Sequence, residues 1–197
     1  MQGHQHHDHE VGDIIDEWAK LRAPPQKTLD WLLDNGVTPQ AIIDAGGIVI
    51  AEVTFAKDRT LGPWFEFSDD GEPALILRCE ESGLLIDVAA MSLTHPTRFA
   101  RLERRAWALG PDLALSPSRL GNDPHRLPPV HVYRTPLSWL QGGADGLVIL
   151  DADKARDELW PFRQIAAEDQ HHGQQMKRLM RRATWREQIV VPRRVDA

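Results

Sequence analysis

Apolar residues at helical spacing mark the chain before residue 46. Four of them define a first helix, Ile14, Ile15, Trp18 and Leu21. The Ala-Pro-Pro triplet at 23–25 ends this helix, which we expect to dock on the rest of the protein. A second helix covers 29–33 and ends at Gly36, and Thr38 is the predicted N-cap of a third helix.

The pattern changes to strands after Gly46. Four apolar or alternating runs follow, Ile48–Phe55, Trp64–Phe67, Ala74–Arg78 and Leu84–Ala90. Turn segments such as Ser-Asp-Asp-Gly at 68–71 separate them, which predicts an antiparallel meander. Together with the preceding helices, these runs predict an α+β N-terminal part. A proline-rich linker over 111–129 then indicates a boundary.

Strands and helices alternate beyond residue 130. The predicted strands cover 130–134, 147–150, 164–167 and 188–191, and the predicted helices cover 136–141, 154–160 and 173–182. This alternation predicts parallel pairing with right-handed crossovers, and therefore a small α/β sheet. Chemistry in such sheets lies at the carboxyl ends of the strands. Those ends carry Arg134-Thr135, Asp151-Ala152-Asp153 and Glu168-Asp169-Gln170.

Three parts of the chain result from these patterns. Residues 1–26 form a histidine-rich disordered tail and a docking helix, 27–126 a helical and antiparallel sub-domain with the linker, and 127–197 the α/β sub-domain. The tail contains four histidines, His4, His6, His7 and His9. A tail of this kind binds metals readily, but no apolar period folds it into a site.

Charge is distributed unevenly over the 197 residues. The formal charge is −6, but residues 170–197 contain seven basic and two acidic side chains. No apolar run is long enough for a membrane helix, and the opening MQGHQHHDHE differs from a signal peptide, so we expect a cytoplasmic protein without a membrane partner. The single cysteine, Cys79, excludes an intrachain disulfide and is expected to be a buried strand residue.

Several segments together resemble the catalytic core of bacterial and phage DNA primases. Residues 29–42, LDWLLDNGVTPQAI, are similar to the helical opening of the primase N-terminal sub-domain, and 74–90, ALILRCEESGLLIDVAA, to its paired strands. Residues 130–192 resemble a Toprim domain, the metal-binding fold of primases and topoisomerases. The resemblance implies a replication protein of a phage or mobile element.

The chain departs from the Toprim pattern at its metal-binding positions. That family has Glu-Gly after the first strand and Asp-x-Asp after the third, where this chain has Arg134-Thr135 and Glu168-Asp169-Gln170. A fixed cation and an amide in place of carboxylates both oppose Mg²⁺ binding. We therefore expect a catalytically degenerate Toprim-like accessory protein without a cofactor, which binds nucleic acid or a replication partner.

Two arrangements for metal binding stay open. Asp151, Asp153 and Glu168 could form the acidic site of a Mg²⁺-dependent phosphodiester enzyme, such as a trimmed primase or nuclease. Alternatively, four adjacent side chains could hold Zn²⁺ or Mn²⁺, namely Glu168, Asp169, His171 and His172. The structural alternatives are that Asp151 or Asp153 caps the helix starting near Lys154, and that Asp169 or Gln170 caps the next one.

The basic C-terminal stretch is the candidate nucleic-acid contact. It comprises six residues, Lys177, Arg178, Arg181, Arg182, Trp185 and Arg186. The spacing places 178, 181 and 182 on one helical face, where they could bind phosphates of a single strand while the tryptophan stacks on a base. The remaining hypothesis is a protein-protein interaction module, whose acidic N-terminal part docks a basic partner without nucleic acid.

Overall fold

The computed structural model describes residues 21–58, 62–114, 129–159, 164–180 and 189–190. Its helices are α1 (Gln26–Asp34), α2 (Pro39–Asp44), α3 (Pro111–Ala114), α4 (Pro136–Gln141), α5 (Ala152–Glu158) and α6 (Gln170–Leu179). Its strands are β1 (Val49–Asp58), β2 (Gly62–Phe67), β3 (Glu72–Glu81), β4 (Leu84–Ser92), β5 (Phe99–Arg101), β6 (Ala108–Leu109), β7 (Val130–Tyr133), β8 (Leu147–Ile149), β9 (Ile165–Ala167) and β10 (Ile189–Val190). The histidine tail, residues 14–20 of the first predicted helix and most of the predicted linker lie outside the described residues.

The first five strands form a closed barrel in the order β1-β2-β5-β4-β3. Antiparallel pairs make up most of it, and a short parallel contact between β2 and β5, with Trp64 opposite Arg101, completes the ring. Small and branched side chains fill the interior around Phe65, which makes an edge-to-face contact with Phe67 at 5.4 Å between ring centroids. Closure leaves no unpaired edge between these strands.

The second sheet has the order β10-β9-β7-β8-β6. Its strands β10, β9, β7 and β8 pair in parallel, whereas β6 pairs antiparallel with β8 and places Ala108 opposite Ile149. Helices α5 and α6 contribute Ala155 and Met176 to the core on this sheet. The parallel pairing predicted for the strands after residue 130 is therefore present.

The predicted fold class, an α+β N-terminal part followed by a small α/β Toprim-like sheet, is wrong. The strands of the first half close into a barrel because β5 returns to pair with β2, and an antiparallel meander has no such contact. The second sheet is mixed because β6, which precedes residue 110, supplies one edge. The result is a closed barrel joined to a mixed sheet.

Strand β3 separates two cores. Ala74 and Ile76 point into the barrel, while Leu75 and Leu77 on the opposite face pack against the cluster that contains Leu32 of α1 and Trp139 of α4. All four strand residues are fully buried. The uninterrupted apolar run Ala-Leu-Ile-Leu is typical of a strand covered on both faces. This strand therefore fixes the helices on the outside of the barrel.

The predicted end of α1 at Gly36 and the predicted N-cap of α2 at Thr38 are confirmed. The Thr38 hydroxyl accepts a hydrogen bond from the Ala41 N–H at 3.1 Å, and Gly36 after α1 adopts a left-handed φ of 81°. Cys79 is buried, as expected. Among the described residues, no helix is both long enough and apolar enough to cross a lipid bilayer.

Gly146 offers a test of the close approach between β7 and the residue that precedes β8. It adopts a φ of +124°, and a Cβ there would collide with the His131 carbonyl oxygen. We expect Gly146→Ala to lower the free energy of unfolding by about 3 kcal/mol or more, since backbone strain and overpacking add. Urea denaturation measures this loss.

Gly143 provides the matched control. Its φ is +83°, but no atom lies within 4 Å of the added Cβ. Gly143→Ala should therefore cost only about 1 kcal/mol, the penalty of the left-handed conformation. Equal losses of unfolding free energy in Gly146→Ala and Gly143→Ala would contradict the close approach at Gly146.

Candidate functional site

The candidate site lies at the carboxyl edge of the mixed sheet. Strand β7 is followed by Arg134, β8 by Leu150 and Asp151, and β9 by Glu168 and Asp169. Because these three strands are parallel, their carboxyl ends lie at one edge. Strand β7 is in the middle, so Arg134 emerges between the two acidic ends.

Arg134 and Asp169 form a bidentate ion pair. Nη1 donates to Oδ2 and Nη2 donates to Oδ1 of the carboxylate, each at 2.7 Å. Asp169 is also the N-cap of α6, since Oδ1 accepts the His172 N–H at 2.8 Å. The guanidinium and this N–H lower the pKa of Asp169 to about 2. Both carboxylate oxygens are therefore committed to partners within the protein.

Glu168 and His172 form a second contact beside this pair. The Glu168 carboxylate lies 3.8 Å from Arg134 Nη1 and 3.8 Å from His172 Nδ1, and the Glu168 N–H points at Nδ1 from 3.4 Å. His172 is 5% exposed, and this burial lowers its pKa although the neighbouring carboxylate opposes the shift. The lowered pKa favours the neutral imidazole, whose Nδ1 faces the Glu168 N–H.

Asp151 is held in a similar way at the end of β8. Its Oδ1 caps α5 by accepting the N–H groups of Asp153 and Lys154 at 3.0 and 3.1 Å. Its Oδ2 accepts from Arg101 Nη1 at 3.1 Å. Burial alone would raise the pKa of Asp151, but the Lys154 N–H and the Arg101 guanidinium outweigh it and lower that pKa. The capping role considered for Asp151 is thus confirmed.

Arg101 belongs to a buried network around residues 102–106, which we call the joint loop because it leads from the barrel into β6. The Arg101 guanidinium donates to the carbonyl oxygens of Arg104 and Ala106 at 3.2 and 2.6 Å. Lys154 Nζ donates to the Arg104 and Arg105 carbonyl oxygens at 3.3 and 2.9 Å. Side chains from β5 and α5 thereby hold the same loop.

Asp87 of β4 holds the joint loop from inside the protein. This carboxylate is fully buried, and it accepts the N–H groups of Glu103, Arg105 and Ala106 at 3.0, 2.7 and 3.2 Å. A buried carboxylate with several backbone donors is well compensated. The loop is therefore bonded through both its N–H and its carbonyl groups.

The three acidic residues considered for catalysis do not form one cluster. Asp151 and Glu168 follow strands that are separated by β7, a separation of about 10 Å from the usual strand spacing. Asp153 has a side chain that is 95% exposed and lies 3.4 Å from Arg156. The structure therefore brings each acid to a basic partner rather than to the other acids.

The four residues considered as ligands of a soft metal are also divided. Glu168 and His172 lie together, whereas Asp169 binds Arg134 and the exposed His171 contacts Gln175 at 3.2 Å. Within the described ranges, no group of three or more His, Cys, Asp or Glu side chains is arranged to hold a metal ion.

The basic candidates lie only partly within the described residues. Lys177 and Arg178 are exposed on the last turn of α6. The other four, Arg181, Arg182, Trp185 and Arg186, lie outside the described residues.

Sequence reasoning missed Asp87 and Arg101. Asp87 interrupts the apolar run LLIDVAAM, and a carboxylate within such a buried strand is itself a signal of a structural hydrogen-bond network. Arg101 carries no comparable signal, because its partner Asp151 is 50 residues away in the chain.

Comparisons with protein-family models, curated proteins and solved structures give no match to this chain. The resemblance to primases thus stays a prediction.

Asp169 makes the stability of the protein depend on pH. Its folded pKa of about 2 lies below the ordinary value of 3.8, so its ion pair stabilises the fold above about pH 4 and is lost as the pH falls towards 2. Asp169→Asn keeps a capping oxygen but removes the charge. We expect Asp169→Asn to melt at a lower temperature than wild type near neutral pH. The difference between the two melting temperatures should become smaller below pH 4.

Asp153→Asn is the control for thermal unfolding, because the Asp153 carboxylate is almost fully exposed. It should change the melting temperature little at any pH. A difference between wild type and Asp169→Asn that does not depend on pH would show that the ion pair with Arg134 contributes nothing.

Proposed function

We propose that this protein is a non-catalytic binding protein for single-stranded nucleic acid, acting as a replication accessory of a phage or mobile element. The observation that carries the proposal is the pairing of Asp169 with Arg134 and of Asp151 with Arg101. The resemblance to primases motivates the choice of replication. The basic end of α6 motivates the choice of nucleic acid.

Internal arginines oppose metal-dependent phosphodiester chemistry at this edge. Such chemistry uses carboxylates that converge on one or two divalent ions. Here a Mg²⁺ ion would have to displace a bidentate guanidinium from Asp169, or a buried one from Asp151. The acidic groups at these strand ends therefore serve structure and the positioning of helices.

Nucleic-acid binding is favoured by the charge of the C-terminal stretch. Lys177 and Arg178 are exposed on α6, and the sequence continues with Arg181, Arg182 and Arg186 beside Trp185. Basic side chains bind phosphates by releasing counterions, and a tryptophan can stack on an unpaired base. An acidic protein whose sequence concentrates basic residues in one stretch attracts a polyanion to that stretch.

A protein partner is the second candidate. Leu33 of α1 and Ile43 of α2 are 45% and 67% exposed, beside the acidic Asp34 and Asp44. Exposed apolar side chains with an acidic rim suit a basic, amphipathic segment. This surface would need no nucleic acid.

Fluorescence anisotropy with a labelled oligothymidine tests the proposed function. Wild type should bind at low salt and weaken as salt is added. In Lys177→Gln/Arg178→Gln, the affinity should fall several-fold and the salt slope should decrease by about 1 to 1.5, because two phosphate contacts are lost. Lys27→Gln, on the exposed face of α1, is the control and should bind like wild type.

Two results would contradict this function. Absence of binding by wild type at low salt would exclude nucleic acid and favour the protein partner. If wild type cleaves the oligonucleotide in the presence of Mg²⁺ and Asp151→Asn does not, the protein is a metal-dependent phosphodiester enzyme instead.

A further inference from the structure

The joint loop fixes an unusual backbone conformation at Arg104. This residue has a φ of +59°, a backbone conformation that residues other than glycine rarely adopt. Asp87 binds the N–H groups on either side, and Arg101 and Lys154 bind the carbonyl oxygen of Arg104 itself. The surrounding network therefore determines where the Arg104 side chain leaves the backbone.

Arg104 is directed over an aromatic ring. Its guanidinium carbon lies 5.3 Å from the centroid of the Trp64 ring, and both side chains are half-buried. Attraction to the ring orients the guanidinium without using its N–H donors. Of the residues that the structure describes, none accepts a hydrogen bond from the Arg104 side chain, so five donors are held in place and available.

Arg98 shows the contrasting case on the same barrel. Its guanidinium also lies over a ring, 4.7 Å from the Phe55 centroid. However, Nη1 donates to Glu72 at 2.7 Å, and Nη2 contacts the Phe55 carbonyl oxygen at 3.4 Å. Arg98 is thus bound by side-chain and backbone acceptors of its own protein, whereas Arg104 is oriented by the ring and has no such acceptor in the part of the chain that the structure describes.

We propose that Trp64 and Arg104 form a second contact for the single strand, separate from the basic end of α6. The Arg104 guanidinium binds a backbone phosphate, and an adjacent base stacks on the indole or on the guanidinium plane. This inference rests on the proposed function, because it names a further surface for the same ligand.

Nucleic acid fits this surface better than an acidic peptide does. Arginine forms bidentate hydrogen bonds with phosphate, and aromatic rings and guanidinium planes both stack on unpaired bases. Lys154 Nζ lies 3.3 Å from the Arg104 carbonyl oxygen and adds positive charge beside this surface. A carboxylate peptide would use the charge but would have no partner for the indole.

Arg104→Gly separates binding from folding. Glycine accepts a φ of +59° readily, so the variant should fold with an unchanged or higher melting temperature. Its affinity for labelled oligothymidine should fall several-fold, and its salt slope should decrease by about 0.7, the value of one phosphate contact. Arg104→Asn, which also tolerates this φ, provides a second variant without the guanidinium.

Two further variants complete the measurement. Arg98→Gln removes the paired arginine and should bind like wild type. Trp64→Leu removes the ring and should weaken binding with little change in the salt slope, because stacking releases no counterions.

The outcomes distinguish this inference from the proposed function. If Arg104→Gly and Arg104→Asn bind the oligonucleotide as wild type does while Lys177→Gln/Arg178→Gln does not, the second contact is excluded and the function stands. If wild type binds no oligonucleotide at low salt, the proposed function and the second contact are both excluded. If polyglutamate competes as well as oligothymidine does, the surface recognises acidic chains and the nucleic-acid assignment is overturned.

Discussion

A buried guanidinium joins the two halves of this protein. Arg101 is 3% exposed, and a charge in that position needs hydrogen-bond partners. Its Nη1 has three of them, whereas its Nε is buried without one among the described residues. Its partners come from the joint loop and from Asp151 after β8, so the barrel strand β5 is bonded to the edge of the mixed sheet. Asp87 supplies the complementary negative charge from β4.

The same pairing determines what the sheet edge can do. Asp151 is committed to Arg101 and to the start of α5, and Asp169 is committed to Arg134 and to the start of α6. An edge that could present acids to a metal presents ion pairs instead. Among the described residues, Lys177 and Arg178 are exposed at the end of α6, and Arg104 lies over the Trp64 ring on the joint loop. This division is the basis of the proposed binding of a polyanion.

Local features of the structure were predictable from the sequence. Thr38 and Asp169 are short polar residues directly before a helix, which is the usual position of an N-cap. The alternation of strands and helices after residue 130 predicts the parallel pairing that the structure has there. Arg134 was also expected at a strand end as a fixed cation opposed to metal. Its bidentate contact with Asp169 depends on the neighbouring strand, and the sequence pattern does not specify that contact.

Features that depend on distant pairing were not predictable. Barrel closure rests on a single parallel pairing of Trp64 with Arg101, and β6 contains only two residues, too few to show a period. The run at 74–77 suits a strand covered on both faces, yet no local rule names the helices that cover it. Arg101 and Asp151 meet only because the joint loop brings β5 to the mixed sheet.

A double-mutant cycle between Arg101 and Asp151 tests the central claim most directly. Urea unfolding of Arg101→Met, Asp151→Asn and the double variant should give a coupling free energy of about 1 to 3 kcal/mol, with Arg98→Met and Asp151→Asn additive as the control pair. Additive effects of Arg101→Met and Asp151→Asn would show that this ion pair does not join the barrel to the sheet.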